Sequence, residues 1–280
     1  MIESSKAASA GPPQARPAPS GGSALHAVNS VGAKLRGWVF PLVALGCYEW
    51  YARTVGKNSD AIAPPTAAVK AFVAAILDGS LWSATAFTLG AAALGLLLAA
   101  VLGIASGILL GLSKRTARMA FFSIEVFKPV PSVALIPLAM LVFGFGLRME
   151  FSIVAFASFW PLMILTQAAV QQVEPRLLEV SHVLGLSASQ RAFKIILPAI
   201  VPRLFVAMRL GVSVALVVAV TVEVAANPNG MGYAMMIAQQ SMDPSLMLAW
   251  LFWIGFVGYA INVAALKLER WVGRRMGVAA

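Results

Sequence analysis

The sequence predicts an all-α, polytopic membrane protein with about six transmembrane helices. Hydrophobic residues make up 60% of the 280 positions and charged residues only 11%, whereas a soluble domain carries roughly 25% charged residues. The mean hydropathy is +0.83, so lipid must cover much of the surface. The apolar residues form long unbroken runs and not the alternating segments of about ten residues that build a barrel, so spanning helices are favoured.

The charge pattern and the scarcity of reactive side chains exclude several function classes. The formal net charge is +10, but the basic residues fall between apolar runs, where they report orientation and not nucleic-acid binding. The single cysteine, Cys47, cannot form an internal disulfide. No cluster of His, Cys, Asp or Glu has the spacing of a metal site, and no phosphate-binding glycine-rich loop is present. The sequence therefore predicts no metal, no cofactor, no catalytic residue and no nucleotide site.

Two regions are predicted along the chain. Residues 1–30 are rich in Pro, Ala, Ser and Gly, which cannot build a core, so a disordered cytoplasmic segment is expected. Residues 31–280 are predicted to form the transmembrane domain. Its first span is predicted at Trp38–Tyr51, and an amphipathic surface helix follows at Thr66–Asp78.

The second predicted span, Leu81–Leu112, carries small residues at every fourth position. These residues are Ala99, Gly103, Gly107 and Gly111. Small side chains at this spacing lie on one helical face and let another helix approach closely. They predict close helix packing and not a ligand site.

The third apolar segment, Val130–Phe145, contains Pro131 and Pro137. Proline removes a backbone donor and kinks a helix. Inside a membrane such a break persists where protein or a water-filled path satisfies the freed backbone groups. The two prolines are therefore candidate pathway residues, with an ordinary packing kink as the alternative.

The last three spans are predicted at Phe151–Val170, Leu210–Val224 and Leu246–Leu266. Glu223 stands at the outer end of the fifth span, and a carboxylate next to hydrocarbon is costly and often functional. It is therefore a third candidate pathway residue, with the alternative that it simply reaches the membrane interface. The stretch Ala225–Pro244 is rich in Asn, Pro and Gly and is predicted to be an outer loop.

The distribution of basic residues predicts the orientation. Lys and Arg concentrate after the second span, after the fourth span and in the C-terminal tail. Because such residues favour the cytoplasmic side, both termini are expected to be cytoplasmic.

The stretch 174–198 is predicted to form two short helices joined by a sharp turn. Gly185 stands where a left-handed C-cap is expected. Ser187 and Gln190 have the spacing of a capping box for the next helix, and Pro198 is predicted to end that helix. The exposed apolar residues of this element, outside the bilayer, suggest a docking surface.

This stretch closely resembles the cytoplasmic loop signature of bacterial ABC importer permeases. The matching residues are Glu179, Gly185, Ile195, Leu197 and Pro198. Val180 and Ser181 replace the two alanines that follow the glutamate in the family pattern. Four further stretches resemble the branch that serves taurine, aliphatic sulfonates and nitrate: Pro131–Leu138, Phe143–Gly146, Phe159–Pro161 and Gly230–Tyr233.

The resemblance implies a type I (MetI-like) importer permease fold in a bacterial inner membrane. It also implies partners: a second permease copy in a homodimer, a cytoplasmic pair of ABC ATPase subunits, and an extracytoplasmic solute-binding protein. ATP hydrolysis would belong to the ATPase subunits, so this chain would be non-catalytic. Glu179 and Gly185 would shape the coupling element. From the apolar pattern, Leu177, Leu184 and Leu186 are expected to contact the ATPase.

Other functions are left open by the residues alone. An ion-gradient-driven secondary transporter would move solute without ATP, but no internal repeat supports inverted halves. A non-transporting scaffold would tolerate changes at Glu179 and Gly185. A membrane enzyme would need a group of catalytic side chains near an interface, and the sequence shows no such group.

Overall fold

The computed structural model describes residue 39, residues 43–55 and residues 62–276, without the side chains of Pro175, Leu178, His182 and Ala188. The predicted disordered segment 1–30 and part of the first predicted span therefore lie outside the described residues. The chain divides into two units, Met1–Tyr48 and Glu49–Ala280. In the first unit the described residues are helical.

The described part of the second unit is built from helices, with no strand. Residues 43–54 form α1, which begins in the first unit. The others are α2 Pro65–Leu77, α3 Ser80–Leu112, α4 Lys114–Phe127, α5 Ile136–Phe143, α6 Leu147–Gln171, α7 Pro175–Val183, α8 Ala188–Arg191, α9 Leu197–Ala225, α10 Met231–Gln240 and α11 Pro244–Arg275.

Four helices of the described chain are long and apolar enough to cross a membrane: α3, α6, α11, and α9 with the helical turns before it. The helices α4 and Ser132–Phe143 would make a fifth span if they are counted as one broken element, bent by 81°. The predicted spans two, four, five and six are confirmed with longer bounds. The predicted total of about six also includes the span at 38–51, which is only partly described.

The packing of α3 against α6 depends on the predicted small residues. A Cβ atom at Gly107 would lie 2.6 Å from the Met163 carbonyl oxygen, and one at Gly111 would lie 2.6 Å from the Val170 Cβ. At Gly95 the nearest atom would be the Cβ of Val154, again at 2.6 Å. The two helices therefore run parallel, with backbones too close for a side chain at these three glycines.

The helix α9 runs antiparallel to α6 and packs against both α6 and α3. Ala219 and Ala215 lie near Val154, while Ile200 and Leu204 lie near Val170 at the other end. The helix α11 runs antiparallel to α9. One ion pair joins these two helices, with 3.6 Å between Arg209 Nη1 and Glu269 Oε2.

The predicted break in the third apolar segment is confirmed. Pro131 precedes a single 3₁₀ turn, Ser132–Leu135, and Pro137 lies in the first turn of α5, where its missing N–H costs nothing. With only 8 residues, α5 cannot cross a membrane alone. It packs on Met149 and Ile153 of α6 and on Val222 of α9.

Two predictions about local structure are wrong. The predicted loop Ala225–Pro244 contains the helix α10, whose Met231 and Ala238 are buried against α11 and α9. Pro198 does not end a helix. The backbone forms a π turn over Ala192–Ile196 and continues into α9, with Pro198 in the first turn of α9. The wider turn avoids the clash between the proline ring and the carbonyl four residues earlier.

Candidate functional site

The turn between α7 and α8 has the geometry that its sequence predicts. Gly185 has φ +63°, in the left-handed region where glycine is favoured. The backbone N–H of Leu186 donates to the Ser181 carbonyl at 3.1 Å, which is the long bond of a Schellman motif. The chain therefore reverses sharply at Gly185, and no larger residue fits that backbone without strain.

The predicted capping box at the start of α8 is also confirmed. The backbone N–H of Gln190 donates to Ser187 Oγ at 3.3 Å, and the backbone N–H of Ser187 donates to Gln190 Oε1 at 3.0 Å. These reciprocal bonds satisfy two donors that the helix itself leaves unpaired. The turn and the cap together fix the angle between α7 and α8.

Residues 175–196 comprise α7, α8 and the π turn, and this segment, the α7–α8 element, carries apolar side chains on its surface. Val183 is 89% exposed, Leu184 64% and Phe193 71%, and Leu177 and Val180 are also exposed. Leu186, which was expected to join this surface, is half-buried. The sequence analysis did not name Val183 and Phe193 as members of this surface. The available signal was that both are apolar residues in a stretch predicted to lie outside the bilayer.

The residues of the loop signature divide into exposed and packed positions. Glu179, Gly185 and Pro198 are exposed, whereas Ile195 and Leu197 are half-buried. Ile196, between the last two, is fully buried against Ala169, Val170 and Ile200. The loop is therefore packed onto α6 and α9 through the π turn.

A buried polar cluster lies at the other end of α6 and α9. Glu223, in the last turns of α9, has a relative exposure of 0% and accepts a hydrogen bond of 2.8 Å from the backbone N–H of Gly232. Its side chain does not reach the surface of the chain. The other two candidate pathway residues are exposed: Pro131 before the 3₁₀ turn and Pro137 in α5.

The neighbours of Glu223 were missed by the sequence reasoning. Glu150, in the first turn of α6, is also 0% exposed and accepts a hydrogen bond from the Asn227 side-chain amide. Thr88 of α3 accepts a hydrogen bond of 3.0 Å from the backbone N–H of Met231. Glu150 is a carboxylate at the edge of an apolar run, which was the available signal, but only packing brings it near Glu223.

The cluster brings two buried carboxylates together. Glu150 and Glu223 interact directly with each other, and their Oε1 atoms have no hydrogen-bond partner among the described residues. No group of three or more His, Cys, Asp or Glu residues in the described chain could hold a metal ion. The cluster joins α3, α6, α9 and α10 at one end of the helical bundle.

Most of the chain matches a known protein family. Residues 95–278 match the family of binding-protein-dependent transport system inner membrane components. The aliphatic sulfonates transport permease protein SsuC of Bacillus subtilis is 31% identical, over 85% of this chain and 88% of its own length. The taurine transport system permease protein TauC of Escherichia coli is 28% identical, over 69% of this chain and 70% of its own length.

Solved structures agree on the fold. An inward-facing form of the methionine ABC transporter MetNI superposes with a TM-score of 0.60 at 19% identity, covering 66% of this chain and 92% of that chain. At this identity the likeness shows the arrangement of helices and nothing about the solute.

Proposed function

The chain belongs to the family of binding-protein-dependent transport system inner membrane components, and we propose that it is the permease subunit through which an ATP-driven importer passes a small anion. It is a multi-pass membrane protein of the ABC importer permease type. A separate ATPase subunit hydrolyses ATP, and an extracytoplasmic binding protein delivers the solute. A second copy of the chain completes the pathway.

The α7–α8 element is the observation that carries the proposal. It presents Val183, Leu184 and Phe193 to solvent at a turn whose shape is fixed by Gly185 and by the capping box. Exposed apolar side chains outside the bilayer are costly unless a partner covers them. A rigid apolar projection is what a cleft on a motor subunit would bind, and Ile196 would pass the motion on to α6 and α9.

The distribution of charge supports a cytoplasmic position for this element. The parallel and antiparallel packing places the C-terminal ends of α3, α6 and α11 at the same end as the N-terminus of α9. That end carries Lys114, Arg115, Arg118, Arg176, Arg191, Lys194, Lys267, Arg270, Arg274 and Arg275. The opposite ends of the same spans carry few basic residues, such as Arg148. A cytoplasmic α7–α8 element is consistent with the positive-inside rule.

The choice of a small anion is supported by the relatives. The two curated relatives described above are named for aliphatic sulfonates and for taurine, and a nitrate import permease of Synechococcus elongatus is 30% identical over 65% of this chain. The shared chemistry of these solutes is a compact anionic group.

The coupling proposal is tested by changing Gly185 to Val. A β-branched residue cannot hold φ +63° without strain, so the turn should open and the ATPase subunit should be lost from the purified complex. Gly255→Val is the matched control, because Gly255 has no positive φ and a Cβ there would meet nothing within 4 Å. Membrane insertion should persist in both variants.

Retention of the ATPase by the Gly185→Val protein, together with normal ATP-dependent uptake, would refute the coupling role. A second variant, Val183→Asp, keeps the backbone and changes only the exposed apolar surface. It should weaken ATPase binding without altering the turn. Uptake that persists without ATP would favour a secondary transporter instead.

A further inference from the structure

Two adjoining cavities lie along the α6–α9 pair, near the end that carries α7 and α8. The first has a volume of about 280 Å³ and the second about 250 Å³, and both are lined by Gln172 and Arg203. Gln172 follows the last turn of α6, and Arg203 lies about 9 Å along α9 from its start at 1.5 Å per residue.

Arg203 is an exposed cation with spare hydrogen-bonding capacity. Its Nη1 atom donates to the Ala169 carbonyl at 3.3 Å, and a guanidinium has five donors. The ion pairs among the described residues do not include Arg203, whereas Arg209, two turns further along α9, is paired with Glu269. Its remaining donors are therefore open to an anionic ligand.

The second cavity combines this cation with an apolar wall. Gln172 and Arg203 are its polar lining residues, and the remaining lining is apolar: Leu165, Ala168, Ala169, Val206 and Ala207. Glu174 lines only the first cavity, so its carboxylate does not compete in the second. An amide, a guanidinium fork and a short apolar wall fit an anionic head group with a few carbon atoms attached.

The cavity also lies on the side of α9 that carries the broken helix. One face of α9 carries Arg203, Ala207 and Val218, which are four and eleven residues apart. At about 100° per residue, these spacings place the three residues within about 60° of one another around the helix axis. Val218 and Val222 pack against α5. One face of α9 therefore connects the proline-broken segment with Arg203.

We infer that Arg203 and Gln172 form an inner binding site for the sulfonate- or carboxylate-type head group of a small organic anion in transit. The apolar part of the anion lies against Leu165 and Val206. This inference rests on the proposed transport function and adds to it a substrate class and a position on the path. The small volume favours a solute over a phospholipid with two acyl chains.

The test is a direct binding measurement. The permease, purified with its ATPase subunit and reconstituted in phosphatidylcholine nanodiscs, is titrated with 1-butanesulfonate by calorimetry. Arg203→Gln should weaken binding by about tenfold or more, since a hydrogen bond to a charged group is lost. Arg203→Lys should weaken it less, because the charge remains while the planar fork is lost. Arg270→Gln, on the exposed surface of α11, is the control and should leave the affinity unchanged.

Three results would overturn the inference. The first is that the native protein does not bind butanesulfonate. The second is that the Arg203→Gln protein binds butanesulfonate with the same affinity as the native protein. The third result is that Arg203 is needed to retain phosphatidylglycerol but not to bind the sulfonate, which would make the cavity a lipid site. Native mass spectrometry of nanodiscs that contain phosphatidylglycerol measures lipid retention. ATPase co-purification is recorded in the same preparations, so its loss would contradict the coupling proposal without affecting this measurement.

Discussion

The Oε2 atom of Glu223 accepts a hydrogen bond of 2.8 Å from the backbone N–H of Gly232, and this bond ties the first turn of α10 to the last turns of α9. Gly230, with φ +93°, lets the chain pass directly over the Glu223 carboxylate. The Asn227 side chain holds Glu150 of α6 in the same cluster. The position of α10 is therefore determined by buried polar contacts as well as by the apolar residues around it.

The first prediction concerns this tie. In Gly232→Ala the added Cβ would press on the Val220 carbonyl and lie 2.9 Å from the Glu223 Cβ, so the purified protein should lose about 1–3 kcal/mol of stability by overpacking. Thermal unfolding in detergent measures the loss. Gly255→Ala, in open space, should be neutral or slightly stabilising. Equal unfolding temperatures for the two variants would contradict the close contact.

The second prediction concerns the contact between α3 and α6. Gly107→Val places a branched side chain where the Met163 carbonyl oxygen and the Thr166 Cβ would be 2.6 Å away. Because backbone atoms cannot move aside cheaply, the helices must separate, and the folded protein recovered should fall sharply. Gly90→Val, on the same helix, meets nothing within 4 Å and is the matched control. Size-exclusion profiles of both variants measure the outcome, and a monodisperse Gly107→Val protein would argue against this packing.

The third prediction concerns the capping box. Ser187→Ala removes the oxygen that accepts from the Gln190 N–H, which typically costs about 1 kcal/mol of helix stability. Amide hydrogen exchange across residues 188–196 should then become faster. Gln190→Glu keeps an acceptor for the Ser187 N–H and should retain most of the protection. If exchange in this segment is the same in all three proteins, the cap does not stabilise the loop.

The fourth prediction concerns acid stability at the start of α3. The hydroxyl and the backbone N–H of Ser80 hydrogen-bond to Asp78 and lower the pKa of its carboxyl group. A depressed folded-state pKa contributes stability that is present above the unfolded pKa, near 3.9, and is lost as the pH falls through the folded value. Thermal unfolding between pH 6 and pH 2 should show this loss in the native protein, and Asp78→Asn should reduce it. An unchanged acid limb in the variant would contradict the assignment.

Local sequence signals predicted the turn and the cap of the α7–α8 element. The Schellman turn at Gly185 and the capping box at Ser187 depend on bonds between residues at most five positions apart, so sequence spacing is sufficient to find them. The same is true of the small-residue face of α3, where the period of four is a property of the helix itself. The error at Pro198 arose because a π turn can accommodate a proline that a regular helix would not.

The sequence alone determined that this chain is helical and spans a membrane, because composition and apolar run length are one-dimensional properties. It also determined the capped loop that is proposed to bind a motor subunit. Only the tertiary structure placed Glu150 beside Glu223, 73 positions apart in the chain, and lined one cavity with both Gln172 and Arg203. Such groupings depend on how α6 and α9 cross, and helix-crossing geometry follows from side-chain packing across the whole bundle and not from any local pattern.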